Sequence, residues 1–156
     1  GLSTVARGAV YNAQLYPNFF RAVCAMSGDY DRKFLYEWIR KSKKNLLRHE
    51  PPSFYMYGDP RNNVNILKRW FEVDNPSSDE NIMKLKNNRI SVLIVHGKND
   101  TVCPPTMSIL FYSLLKRNNV DTEMILVNNV AHEWNLWANY LKNAVEYFIQ
   151  KWADPN

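Results

Sequence analysis

Residues 90–100 read Ile90-Ser91-Val92-Leu93-Ile94-Val95-His96-Gly97-Lys98-Asn99-Asp100. The run from Ile90 to Val95 is continuous, apolar and rich in β-branched residues, with polar residues on either side. Such a run predicts a strand covered on both faces, as in a parallel sheet, rather than the alternating pattern of a half-exposed strand. The strand ends at His96-Gly97. Asp100 then falls in the loop at its C-terminal edge, the place where open α/β sheets keep their functional groups.

Working outward, Pro104-Pro105 opens a helix whose apolar stripe is Met107, Leu110, Phe111 and Leu114. Thr122–Val127 forms a further strand, and a last helix carries Trp137, Leu141, Ala144, Val145, Phe148 and Trp152 on one face. Upstream, Arg21–Ser27 reads as a buried strand, preceded by a helix from Ser3 to about Tyr16 that Pro17 stops. A basic amphipathic helix follows, with Phe34, Leu35, Trp38 and Ile39 on its apolar side, then a loop over residues 51–60 rich in proline and aromatics. A short helix is expected from Asn62 to Phe71, and Asn75–Glu80 is a turn that caps another. Strands separated by helical crossovers imply a parallel sheet with helices on both sides. About three strands are fewer than such a sheet normally holds.

The 156 residues are 46% hydrophobic and 22% charged, which is ordinary globular usage and excludes a disordered or collagen-like chain. No apolar run approaches the length of a membrane span, so no membrane partner is expected, and the first residues lack the order of a signal peptide. The chain starts with glycine, which together with the motif order below points to an excised or truncated piece. Cys24 and Cys103 form neither a metal-binding spacing nor a disulfide framework, so the expected compartment is reducing and cytoplasmic, with Cys24 a buried free thiol. The net charge of +5 raises the question of an acidic partner, and the basic cluster to test is Arg40, Lys41, Lys43, Lys44 and Arg48. No nucleic-acid recognition motif accompanies them, and a solvated helix face accounts for them.

Three residues at corresponding places in this pattern could do chemistry together. Gly1-Leu2-Ser3-Thr4-Val5 resembles the nucleophile elbow Gly-x-Ser-x-Gly, in which a serine sits at a sharp strand-to-helix turn between small residues. Val5 replaces the second glycine, with Ala6 and Gly8 close enough to relieve crowding. Ser3 alone also reads as a helix N-cap, Asp100 as a turn residue beside Asn99, and His132, in the loop Asn128–Glu133, as a surface histidine. Together they reproduce the order Ser, Asp, His of the α/β-hydrolase fold. His96 reads as part of the strand-to-loop frame.

The chain resembles the prolyl oligopeptidase family of serine peptidases. Tyr16-Pro17-Asn18-Phe19-Phe20-Arg21-Ala22-Val23 is similar to the segment after that family's nucleophile helix, and Tyr57-Gly58-Asp59-Pro60 to a loop in many members. Residues 92–100 followed by Pro104 resemble its acid loop, which other α/β-hydrolases share, and Ala131-His132 resembles its Gly-His. The resemblance implies that residues 1–156 are the C-terminal part of an α/β-hydrolase catalytic domain, truncated before the nucleophile elbow. It implies Ser3 as nucleophile, His132 as general base, Asp100 as its orienting acid and the Thr4 N–H as one oxyanion donor. The second donor is expected from a preceding loop.

No metal or organic cofactor is implied. The expected substrate is a peptide, cleaved through an acyl-enzyme; a small ester in a carboxylesterase of the same fold is the alternative. A non-catalytic binding domain is a third reading, suggested by Val5 and Ala131, and nucleic-acid binding through the basic helix a distant fourth. Because upstream strands would flank Ser3, the isolated chain is expected to be poorly stable or inactive, needing the upstream part of its own chain or a dimer partner.

Overall fold

The computed structural model describes residues 1–41, 63–73 and 75–153, without the side chains at 38–40, 70 and 73. In chain order the elements are α1 (Thr4–Leu15), a short 3₁₀ turn (Pro17–Phe19), β1 (Ala22–Met26) and α2 (Arg32–Lys41). Then come α3 (Val64–Lys68), which runs on as a π turn over Arg69–Val73, α4 (Asp79–Asn87), β2 (Ser91–Gly97), α5 (Pro105–Arg117), β3 (Thr122–Val127) and α6 (Trp134–Ala153). The basic positions 43, 44 and 48, the proline-rich loop and Tyr57–Pro60 lie outside the described residues, as does the side chain of Arg40.

The three strands form one parallel sheet in the order β1-β2-β3, with Val23 opposite Val92 and Val92 opposite Thr122. β2 is central and buried along its whole length, which is why its sequence is apolar at every position and not at alternate ones. The strand period of two still sorts its side chains. Val92 and Ile94 join Val23 and Ala25 on one face, beneath Ala6, Val10 and Ala13 of α1, Ile82 and Leu85 of α4 and Phe111 and Leu115 of α5. Leu93 and Val95 join Cys24 and Met26 on the other face, beneath Leu136, Ala144 and Tyr147 of α6. Each fully buried aliphatic side chain of this kind contributes roughly 1.5–3 kcal/mol. Helices therefore cover both faces, as the crossover pattern predicts.

Local signals place the helix ends. Ser78 caps α4 by accepting from the Asn81 N–H, with Asp79 and Glu80 in the first turn where the helix dipole favours carboxylates. Asn63 caps α3 through Asn65 and Ile66, so the expected 62–71 helix begins two residues later and changes to π geometry at Arg69.

Two apolar stripes differ from expectation. On α5 the buried positions are Met107, Ser108, Phe111 and Leu115, whereas Leu110 is exposed and Leu114 only partly buried. On α6 the inward face is Leu136, Trp137, Tyr140, Ala144 and Tyr147, while Leu141, Val145, Phe148 and Trp152 point outward. Apolar residues occur around much of α6, so the 3.6 period leaves the choice of face open. The tyrosines decide it, because their rings add buried apolar area that a hydropathy pattern discounts.

Candidate active site

Gly1 and Leu2 extend the sheet beyond β1. Leu2 bridges Met26 in parallel, the Met26 N–H donates to the Gly1 carbonyl at 2.9 Å, and the Ser3 N–H donates to the Met26 carbonyl at 2.8 Å. Ser3 thus stands where a short strand stops and α1 begins. Its backbone has φ 53° and ψ −129°, a conformation that L-residues rarely adopt and that surrounding structure must impose. Its hydroxyl makes no capping hydrogen bond to α1, which disposes of the N-cap reading.

The small residue this turn needs is Gly1. A Cβ there would lie 2.3 Å from the Val5 carbonyl oxygen. Val5 fits because its side chain is 67% exposed, directed away from the crowded side. Gly8 relieves nothing, contrary to expectation, since a Cβ on it would meet no atom within 4 Å.

Asp100 sits three residues beyond the end of β2, with both carboxylate oxygens occupied. Oδ1 accepts the N–H groups of Val102 at 2.9 Å and Cys103 at 2.8 Å. Oδ2 accepts from His132 Nδ1 at 2.6 Å, and His96 Nε2 lies 3.2 Å from the same oxygen. Burial pushes this carboxyl up, but the hydrogen bonds from His96, Cys103 and His132 outweigh it and hold the group below the usual carboxylate range. It is therefore ionised at neutral pH, as an orienting acid must be.

His132 lies between β3 and α6. Asn129, at φ 57°, turns the chain back, and the Asn99 N–H donates to the Val130 carbonyl at 2.9 Å, tying this loop to the one that carries Asp100. Ala131 is not among the positive-φ residues, so no glycine is needed before the histidine. With Nδ1–H committed to Asp100, His132 Nε2 is the acceptor, and the Ser3 hydroxyl lies 2.9 Å from it. Ser3, His132 and Asp100 form one hydrogen-bonded line, although Ser3 and His132 are 129 positions apart.

Sequence reading alone missed the surroundings of this line. The Trp137 ring stands edge-on to the His132 ring at 5.2 Å, and its Nε1–H donates to Ser27 Oγ at 3.2 Å. Trp137 follows His132 by five residues, one turn into α6, and that spacing is the signal that could have marked it. Arg7 of α1 and Asp29 form a buried ion pair. Thr4, placed in the first turn of α1, has a backbone N–H with no hydrogen-bond partner among the described residues. No group of three or more His, Cys, Asp or Glu side chains among the described residues is placed to hold a metal ion. No described helix is long and apolar enough to cross a membrane. Cys24 and Cys103 are both buried and unpaired.

The arrangement has relatives of known structure. An acylaminoacyl peptidase from Pyrococcus horikoshii superposes with a TM-score of 0.69 at 20% identity, over 97% of this chain and 23% of that one. A puromycin hydrolase gives 0.69 at 14% identity, over 97% and 21%, and a ferulic acid esterase 0.63 at 18%, over 97% and 49%. The chain thus spans less than half the length of each of these proteins, and at such identities the likeness shows the α/β-hydrolase fold. A search of curated proteins finds no match. The sequence matches the prolyl oligopeptidase family over residues 8–155, nearly the whole chain. This chain belongs to the prolyl oligopeptidase family, with three parallel strands and flanking helices of its α/β-hydrolase fold.

Proposed function

We propose that the chain carries the catalytic triad of a serine hydrolase, Ser3, His132 and Asp100, and that its reaction is peptide-bond cleavage through an acyl-enzyme. The observation that supports this most is the continuous pair of hydrogen bonds, 2.9 Å from Ser3 to His132 and 2.6 Å from His132 to Asp100. A hydrolase-like domain used only for binding has no need of that spacing.

In this reading the Ser3 hydroxyl attacks the substrate carbonyl as His132 Nε2 takes its proton. Asp100 fixes the tautomer that leaves Nε2 free and stabilises the imidazolium that forms. The Thr4 N–H, unpaired at the start of α1, donates to the developing oxyanion, where one such donor is worth about 2.7–4 kcal/mol. His132 returns the proton to the leaving amine, and water attacks the acyl-Ser3 ester by the same steps in reverse. Residues 1–156 serve as the C-terminal part of the catalytic domain in this scheme.

The peptide rather than the ester is favoured by family membership. A ferulic acid esterase of the same fold keeps the ester reading in play. Labelling with a fluorophosphonate probe, read by intact mass and by its loss in Ser3→Ala, tests the nucleophile. Comparing turnover of aminoacyl p-nitroanilides with that of p-nitrophenyl esters tests the substrate. Labelling that persists in Ser3→Ala would sink the assignment, and ester turnover with no anilide turnover would move the reading to an esterase.

A further inference from the structure

We infer, resting on the triad reading above, that Ser108 and His96 form a buried positioning chain that holds Asp100 against His132. Both residues are fully buried. His96 Nε2 lies 2.9 Å from the Cys103 carbonyl oxygen, which can only accept, so Nε2 carries the proton. His96 Nδ1 is then an acceptor, and the Ser108 hydroxyl donates to it at 2.6 Å. The same Nε2–H faces Asp100 Oδ2 at 3.2 Å, the oxygen that receives His132.

The Nε2–H is thus shared between the Cys103 carbonyl and Asp100, and donors run one way, from Ser108 through His96 to Asp100, each bond polarising the next. The donors converge on Asp100 from one side and His132 from the other.

The strand pattern shows why packing alone does not call for this histidine. Position 96 follows Val92 and Ile94 at the period of two on the face covered by α1, α4 and α5, where an apolar side chain would satisfy the core. A buried imidazole costs free energy unless both nitrogens are paired, and here both are. Asp100 gains a third anchor in addition to the Val102 and Cys103 amides. That anchor restrains the one oxygen that must stay aligned with His132.

The test uses the purified protein with three substitutions: His96→Leu, which removes the N–H; His96→Gln, whose side-chain amide can place an N–H where Nε2 stands; and Ser108→Ala. The readouts are kcat and KM on a p-nitrophenyl ester, the proton resonance of the His132 Nδ1–H···Asp100 hydrogen bond, and thermal unfolding to verify the fold. The expected result is a fall of about 10-fold in kcat for His96→Leu with KM little changed, since outer partners of this kind typically cost about 10–100-fold. The His132 resonance moves upfield in His96→Leu and, by less, in Ser108→Ala, and His96→Gln recovers both kcat and resonance.

A folded His96→Leu with wild-type kcat and resonance overturns the inference, as does His96→Gln behaving no better than His96→Leu. Should His96→Leu fail to fold, Ser108→Ala decides: an unshifted His132 resonance overturns the inference, a shifted one supports it. If the wild-type protein shows no downfield proton that Asp100→Asn abolishes, the Asp100–His132 bond is absent and the triad reading falls with the inference. If that proton is present and His96→Leu leaves it in place, only the positioning role fails.

Discussion

Gly97→Ala is the most informative single substitution outside the three residues themselves. Gly97 ends β2, and a Cβ added there would lie 2.4 Å from the Val130 carbonyl oxygen and 2.9 Å from that of Ala131. Ordinary van der Waals contact begins at 3.4 Å, so the 130–131 backbone has to retreat by about 1 Å. The neighbours are main-chain atoms rather than a flexible side-chain tip, and the Asn99 N–H bond to the Val130 carbonyl resists the movement. His132 is the next residue, so the displacement reaches the 2.6 Å and 2.9 Å bonds to Asp100 and Ser3 directly. A misplacement of about 1 Å at a reacting group typically costs about 100-fold in rate. Overpacking itself costs about 1–3 kcal/mol, or roughly 2–4 °C in Tm for each kcal/mol in a domain of this size. The assay is the rate of fluorophosphonate labelling at Ser3, alongside thermal unfolding. Gly97→Ala that labels at the wild-type rate while folded would refute the argument that loop 128–133 is placed by contact with Gly97. Gly8→Ala, with open space around its Cβ, is the matched control and should label normally.

Other predictions concern the frame of the molecule. Asp29→Ala removes the carboxylate paired with the buried Arg7 guanidinium and should destabilise the fold, whereas Arg7→Met with Asp29→Leu recovers most of the loss; urea unfolding of the single and double variants measures the difference, and equal losses in both would count against the ion pair. Burial pushes the Cys24 thiol up to about 11, so iodoacetamide at pH 8 should leave it unmodified in the native state and alkylate it only in denaturant; rapid native alkylation would show that β1 is open. Asp121 accepts from Ser91 at 2.6 Å and pairs with Lys151 at 2.6 Å; burial raises its carboxyl, yet Lys151 and Ser91 outweigh that and hold it below its ordinary value. A depressed folded pKa means stability that is present above the unfolded carboxyl value near pH ~3.9 and lost as pH falls through the folded value. The gap in urea midpoint between wild type and Asp121→Asn should therefore be open at pH 6 and close in strong acid, and a gap that persists there would contradict the assignment.

The parallel sheet was legible because β2 is buried on both faces and its sequence is apolar throughout, a signal that does not depend on register. That Ser3, Asp100 and His132 meet was legible for a related reason. Each lies at the C-terminal end of a strand, so the topology that places the strands side by side also gathers the three residues. The inward faces of α5 and α6 were not legible, because Leu110 and Leu141 satisfy the helical period as well as Leu115 and Tyr147 do. The glycine requirement was misplaced for a local reason: crowding at the turn into α1 falls on Gly1, before Ser3, and Val5 escapes it by facing outward. The chain behind Asp100 was out of reach, since Ser108 meets His96 only after β2 and α5 have packed.

The 129 positions between Ser3 and His132 also bear on how the molecule reaches its native state. Parallel strands pair only after long loops have closed, and such non-local contacts form late and slowly compared with helices. During refolding, helical signal should therefore return well before Ser3 becomes reactive. On the proposed reading, reactivity at Ser3 then reports when the parallel strands have paired and His132 has reached it.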